Sequence, residues 1–216
     1  MSQSPIAADD AALRSDVRRL GDLLGQTLVR QEGPELLALV EEVRKAVREG
    51  SGAEILGKLS VEDSVQLVRA FSTYFHLANV AEQVHRARVL AEARVIGGSW
   101  LARAVDRIEA AMKAQTPGHE LTKEEITEWV GAMSVRPVFT AHPTEAARRS
   151  VLNKLGSIAD LLDDPRNPSQ QERLAETVDL LWQTDELRLG RPEPLDEALN
   201  ALYYLDDLFT QTVPEV

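Results

Sequence analysis

RPVFTAHPTEAARRS, Arg136 to Ser150, marks the point where the periodicity of the chain changes. From Val135 to Thr140 the chain turns to a run of β-branched and aromatic residues, Val135, Val138, Phe139 and Thr140, and Pro137 falls near the beginning, where a strand tolerates it. Pro143 then stands at a position suited to the first turn of a helix running to Leu162. A strand feeding directly into a helix is the βα unit of a parallel sheet or barrel. A lone strand has no ladder partner for its N–H and C=O groups, so the other strands of such a sheet must come from outside this sequence.

Everything around this stretch reads as helix. Leu13, Val17, Leu20, Leu24 and Leu28 recur at spacings of three and four, with Asp9 and Asp10 placed to favour the positive helix end. Pro34 suits a first helical position, Leu37, Val40, Val43 and Val47 follow in register, and Gly50 can close the helix in a left-handed conformation before a short Gly/Ser turn. Ser60 and Asp63 form a variant capping box ahead of a segment that runs without Gly or Pro from Ser64 to Ile96. A stripe of Trp100, Leu101, Ala104, Val105, Ile108, Ala111 and Met112 follows, then a true box of Thr122 and Glu125 before Ile126 and Trp129. Further helices are expected over 169–189, behind a box of Ser169 and Glu172, and over 194–213. The expected fold is mainly α, with residues 1–134 a helical region and 135–216 the first strand and following helices of an incomplete, TIM-like α/β barrel.

Composition narrows the partners. With 35 acidic against 24 basic residues the net charge is -11, which repels nucleic acid and anionic membranes, so an anionic substrate must be held by local charge. Cysteine is absent, which removes disulfides and thiolate chemistry and suits the cytoplasm. No leader-like or membrane-length apolar run is read.

In a βα unit the carboxyl end of the strand and the N-terminus of the next helix face the active side, and His142 falls between them. The free N–H groups of Thr144, Glu145 and Ala146 would point toward an anion, and Arg148 or Arg149 could add full charge. Adjacent helical residues diverge by about 100°, so the two arginines are not expected to serve one ligand together. An imidazole beside a positive helix end is biased toward its neutral form, which suits a general base; a hydrogen-bonded histidine at a strand end is the plainer alternative.

VFTAHPTEAARR resembles the N-terminal active-site signature of the phosphoenolpyruvate carboxylases. AFSTYFHLANVAEQVHR at 70–86, LWQTDELR at 181–188 with RPEPLDEA after it, and LRSDVRRLGDLLG near the start resemble further blocks of that family in the same order. The resemblance implies a cytoplasmic, Mg²⁺-dependent lyase, homotetrameric and allosteric, of bacterial type. Such an enzyme converts phosphoenolpyruvate and bicarbonate, through carboxyphosphate and an enolate, to oxaloacetate and phosphate, feeding the tricarboxylic acid cycle. His142 corresponds to the signature histidine, implied to deprotonate carboxyphosphate and place the released CO2; Arg148 matches a signature arginine. The family's later glycine-rich loop, with its second histidine, and the carboxylates that hold Mg²⁺ have no counterpart here. The chain therefore resembles an N-terminal fragment, expected to be inactive alone.

Other features have competing readings. Glu82 and His85 form a single E-x-x-H, whereas a di-iron bundle needs two converging pairs, so packing is the favoured role. His76 and His119 are read as structural or solvent-facing, and Phe71, Tyr74, Phe75 and Trp182 as helix packing. A non-catalytic helical interaction module is the alternative function.

Overall fold

The computed structural model describes residues 5–97, 100–115, 122–134, 148–163, 168–186 and 193–207. Among them the secondary structure is helical: α1 Pro5–Glu32, α2 Pro34–Glu49, α3 Gly52–Leu56, α4 Val61–Gly97, α5 Trp100–Gln115, α6 Lys123–Ala132, α7 Arg149–Asp163, α8 Pro168–Trp182 and α9 Pro194–Asp207. The mainly α class is as the periodicity implies. The expected strand over 135–140, with His142 and Thr144, lies outside the described residues. No helix among the described residues is long and apolar enough to cross a membrane.

Local chemistry explains several helix ends. Gly33, at φ 97°, turns the chain so that Pro34 can open α2, and Gly50, at φ 81°, closes it by donating to the carbonyls of Ala46 and Val47. Thr122 accepts from the Glu125 amide at 3.2 Å while the Glu125 carboxylate accepts from the Thr122 amide at 2.9 Å, completing the expected box. At α4 the Ser60 hydroxyl accepts from the Asp63 amide at 3.0 Å, but it also donates to the Asp63 carboxylate at 2.7 Å, so the reciprocal half is side chain to side chain.

Several boundaries differ from the sequence reading. Asp9 and Asp10 lie within α1 rather than at its start, because Pro5 opens the helix earlier. The Gly/Ser turn contains the short helix α3. α8 begins at Pro168, putting Ser169 inside the helix instead of at its cap, and ends at Trp182 rather than Leu189. There the amides of Gln183 and Thr184 donate back to Asp179 and Leu181 at 3.1 Å, tightening the last turn before the chain departs.

Two compact units divide the chain. The first, Met1–Arg88 with Ala146–Leu189, has a core of Leu20, Leu24 and Leu28 from α1, Leu77 and Ala81 from α4, Ile158 and Leu162 from α7, and Leu174, Val178 and Trp182 from α8. Each set repeats at three or four residues, so four helices contribute one face each to a common interior. Polar ties fix their mutual position. Buried Thr27 donates to Asp179 at 2.5 Å, and Arg30 reaches the same oxygen at 2.7 Å, joining α1 to α8. Burial alone would raise the Asp179 pKa, but the hydrogen bonds from Arg30 and Thr27 outweigh it and hold the carboxyl below its ordinary value. Arg88 joins α4 to α1 and α7 through Asp16 at 2.7 Å, Asp163 at 2.8 Å and the Leu162 carbonyl at 2.7 Å.

The second unit, Val89–Glu145 with Gly190–Val216, carries α5, α6 and α9. None of its described side chains is fully buried: of the apolar stripe read from the sequence, Ile108 and Ala111 are exposed and Met112 is half-buried.

Candidate functional site

Two of the expected anion-site residues, Arg148 and Arg149, are described, and Arg148 is the one that the signature matches. It does not sit in the second turn of a helix beginning at Pro143, as the sequence suggests, but immediately before α7. Its carbonyl accepts from the amides of Val151 and Leu152 at 2.9 and 3.2 Å, so it opens α7, and its own amide donates to the Glu186 carbonyl at 3.2 Å. Its guanidinium faces Asp185 at 3.4 Å. That contact supports the competing reading in which the arginine pairs with an acid of a neighbouring segment. Arg149 is the first, exposed residue of α7.

The segment that receives Arg148 is itself held by α4. One Glu186 carboxylate oxygen accepts from the Ser72 hydroxyl at 2.7 Å and from His76 Nε2 at 2.6 Å. An ionised carboxylate has no proton to give, so Nε2 of His76 must carry the hydrogen. Burial would raise the Glu186 pKa, yet the hydrogen bonds from Ser72 and His76, with the nearby charges of His76 and Arg69, overcome it and hold the carboxyl below its ordinary value.

Arg69 secures the residues just before. Its guanidinium lies 4.3 Å from the Trp182 ring centroid and donates to the Trp182 carbonyl. The buried indole in turn donates through Nε1 to Glu32 of α1 at 2.9 Å. Arg69, Ser72 and His76 lie three and four residues apart, a polar line on α4 that meets the end of α8. This network ties α1, α4, the α8 terminus and the start of α7 to one place.

His76 is thus neither free nor simply solvent-facing: it is bonded to Glu186 across 110 residues of sequence. Trp182 is buried, as packing requires, and also supplies a donor. Of the aromatic residues on α4, Tyr74 packs against the core and meets Phe75 edge-on at 5.9 Å, while Phe75 is exposed. Glu82 pairs with Arg86 at 2.9 Å one turn along α4. Among the described residues no three His, Asp or Glu side chains are grouped so as to hold a metal ion.

The first unit therefore defines a class: a helical scaffold whose polar network fixes the residue that follows a His-Pro segment. Comparison with known proteins gives that class a family. The sequence profile of the family described as phosphoenolpyruvate carboxylase matches residues 13–216. The chain is 34% identical over 224 residues to the phosphoenolpyruvate carboxylase of Alcanivorax borkumensis, covering 96% of this chain and 25% of that protein. It is 37% identical over 231 residues to the one from Azorhizobium caulinodans, covering 96% and 24%. For Ectopseudomonas mendocina the figures are 35% over 234 residues, 97% and 25%. This chain belongs to the phosphoenolpyruvate carboxylase family, and it spans about a quarter of the length of those relatives.

Proposed function

We propose that the chain forms part of a phosphoenolpyruvate carboxylase, a lyase that makes oxaloacetate and phosphate from phosphoenolpyruvate and bicarbonate. The observation that carries this reading is the family match, which runs from residue 13 to 216 and includes the VFTAHPTEAARR signature.

In this reading His142 is the base that deprotonates carboxyphosphate and helps place the released CO2 beside the enolate. The amide of Thr144 would donate to the anionic substrate, and Arg148 would join it by exchanging its Asp185 partner for the anion. The network of Arg69, Ser72, His76 and Glu186 fixes the backbone at Arg148 and so limits the wandering of the chain six residues beyond the histidine. Holding a catalytic group in place removes entropy from the barrier, because a reactive geometry need not be searched for in each turnover. Mg²⁺ would supply charge neutralisation for carboxyphosphate and the enolate, from ligands outside this chain. The assembled enzyme is proposed to be a cytoplasmic homotetramer.

The test is a coupled oxaloacetate assay with phosphoenolpyruvate, bicarbonate and Mg²⁺. The 216-residue chain alone is expected to give no oxaloacetate. The chain extended through its native reading frame is expected to be active, and its His142→Asn form to lose oxaloacetate formation. Steady turnover by the chain alone, or an active His142→Asn form, would refute the assignment.

A further inference from the structure

Between α1, α2 and α4 the first unit holds a groove of about 650 Å³. Buried Leu24, Leu28 and Ala70 and half-buried Leu37, Val40 and Phe71 give it an apolar lining. That volume lies within the roughly 300–1,000 Å³ of small-molecule sites, which are mostly apolar with a few polar groups to orient the ligand.

The three helices sort the polar groups to one end. A Cβ on Gly25 would meet Leu37 at 3.5 Å, and α2 returns antiparallel to α1 after the Gly33 turn. Arg44, seven residues past Leu37, therefore comes back to the level of Arg18, seven residues before Gly25, and both line the groove. Arg14 lines it one turn before Arg18. α4 also runs against α1: Gln66 donates to Glu32 at 3.4 Å, and Tyr74 is the group that a Cβ on Gly21 would meet, at 3.5 Å. Tyr74 thus stands toward the arginines, and Ala70 and Phe71, one turn earlier, toward Leu24 and Leu28.

The polar end is cationic. Arg44 pairs with Glu41 at 2.8 Å, but neither Arg14 nor Arg18 has an acid partner among the described residues, and the Tyr74 hydroxyl has no hydrogen-bond partner among them. Asp22 is the other acid on the groove, so three arginines face two carboxylates in a chain whose net charge is -11. Single solvated arginines on a surface need no explanation. Two without partners, beside a tyrosine hydroxyl at one end of an apolar trough, make a head-and-tail pattern. Leu28 lies about 15 Å beyond Arg18 along α1, and a groove of that length and volume averages only about 7 Å across, narrower than a helix with its side chains. A chain molecule fits where a further helix does not. We infer that this groove binds a small amphipathic carboxylate, its acid held by Arg14, Arg18 and Tyr74 and its aliphatic chain laid along Leu24, Leu28 and Phe71. Guanidinium groups suit a carboxylate because their paired N–H donors match its two oxygens.

Calorimetric titration of the 216-residue chain with octanoate tests this, with octanol, octylammonium and acetate as controls. Octanoate is expected to bind at one site, octanol several-fold more weakly, and octylammonium and acetate not measurably. Arg14→Gln with Arg18→Gln, both exposed, should keep the melting temperature within about 2 °C and weaken octanoate about fivefold, leaving octanol unchanged. Gly25→Leu, which puts a side chain into the apolar end, should abolish binding of both; if that form does not fold, the arginine pair still decides. Equal affinity for octanoate and octanol, or an arginine variant that binds like the parent, would overturn the inference. So would loss of octanoate binding in the chain extended through its reading frame, which would give the groove to polypeptide of the same protein. Self-association that Gly25→Leu abolishes, with no octanoate bound by the parent, would give it to a second copy and equally sink the proposal.

Discussion

Glu186→Gln isolates the charge at the centre of the network. The glutamine keeps the side-chain size and one carbonyl acceptor, but Ser72 at 2.7 Å and His76 at 2.6 Å now share a neutral oxygen. A hydrogen bond to a charged group contributes about 1.5–3 kcal/mol against about 1 for a neutral one, so two such bonds would lose roughly 2 kcal/mol if buried. The Glu186 and His76 side chains are 36% and 33% exposed, and solvent screening brings the expected loss to about 1 kcal/mol. For a chain of this size that lowers the melting temperature by about 2–4 °C, followed by far-UV circular dichroism at neutral pH. The pH dependence has a definite sign. The folded pKa of Glu186 is depressed, so its stabilisation is complete above the pH where a free glutamate titrates, about 4.3, and disappears as pH falls through the lower folded value. Glutamine does not titrate, so the gap between the two proteins should close below that pH even as both lose stability there. Identical melting at neutral pH, or a gap that persists unchanged into acid, would refute the account of Glu186 as a charged anchor.

Two other ties make separate claims. Thr27→Val removes the hydroxyl that donates to Asp179 at 2.5 Å while keeping the buried shape; it should cost about 1 kcal/mol and, by carbon-detected NMR titration, let the Asp179 pKa rise toward its ordinary value. Arg88→Lys leaves one ammonium where a planar fork meets Asp16, Asp163 and the Leu162 carbonyl; unfolding in urea should show a loss of about 1–2 kcal/mol that shrinks in 1 M salt, because the Asp163 arm is exposed.

The helices were legible because their cause is local. Leu20, Leu24 and Leu28 repeat at four residues and are all buried, Pro34 and Gly50 bound α2 as their backbone preferences require, and Thr122 and Glu125 close their box within one turn. Errors came where a nearby helix outweighed a local signal. Gln183 to Leu189 can continue a helix by propensity, yet Arg69 captures the Trp182 ring and carbonyl, and Ser72 and His76 capture the Glu186 carboxylate. Those contacts reward a chain that leaves the helix. Val47 shows the opposite failure: its place in the α2 repeat marks it as apolar, yet it is exposed.

The same competition explains why the site residues were harder to read than the scaffold. His76 and Glu186 are 110 positions apart, and neither carries a local motif. A signal did exist in the line Arg69, Ser72, His76, polar residues at helical spacing on a helix otherwise apolar on two faces, which marks a face reserved for a polar partner. What the line could not name was the partner, because Glu186 is one of many acids in an acid-rich chain. The stretches that carry the family resemblance near 70–86 and 181–188 look unrelated along the sequence. In the fold Ser72 and His76 from the first meet Glu186 from the second, and the Glu186 carbonyl then takes the amide of Arg148 from the signature that contains His142. Three separate blocks thus meet through one carboxylate and its own carbonyl. A substitution in any of them should therefore be felt at the start of α7, and one that weakens Glu186 should disturb Arg148 without touching it.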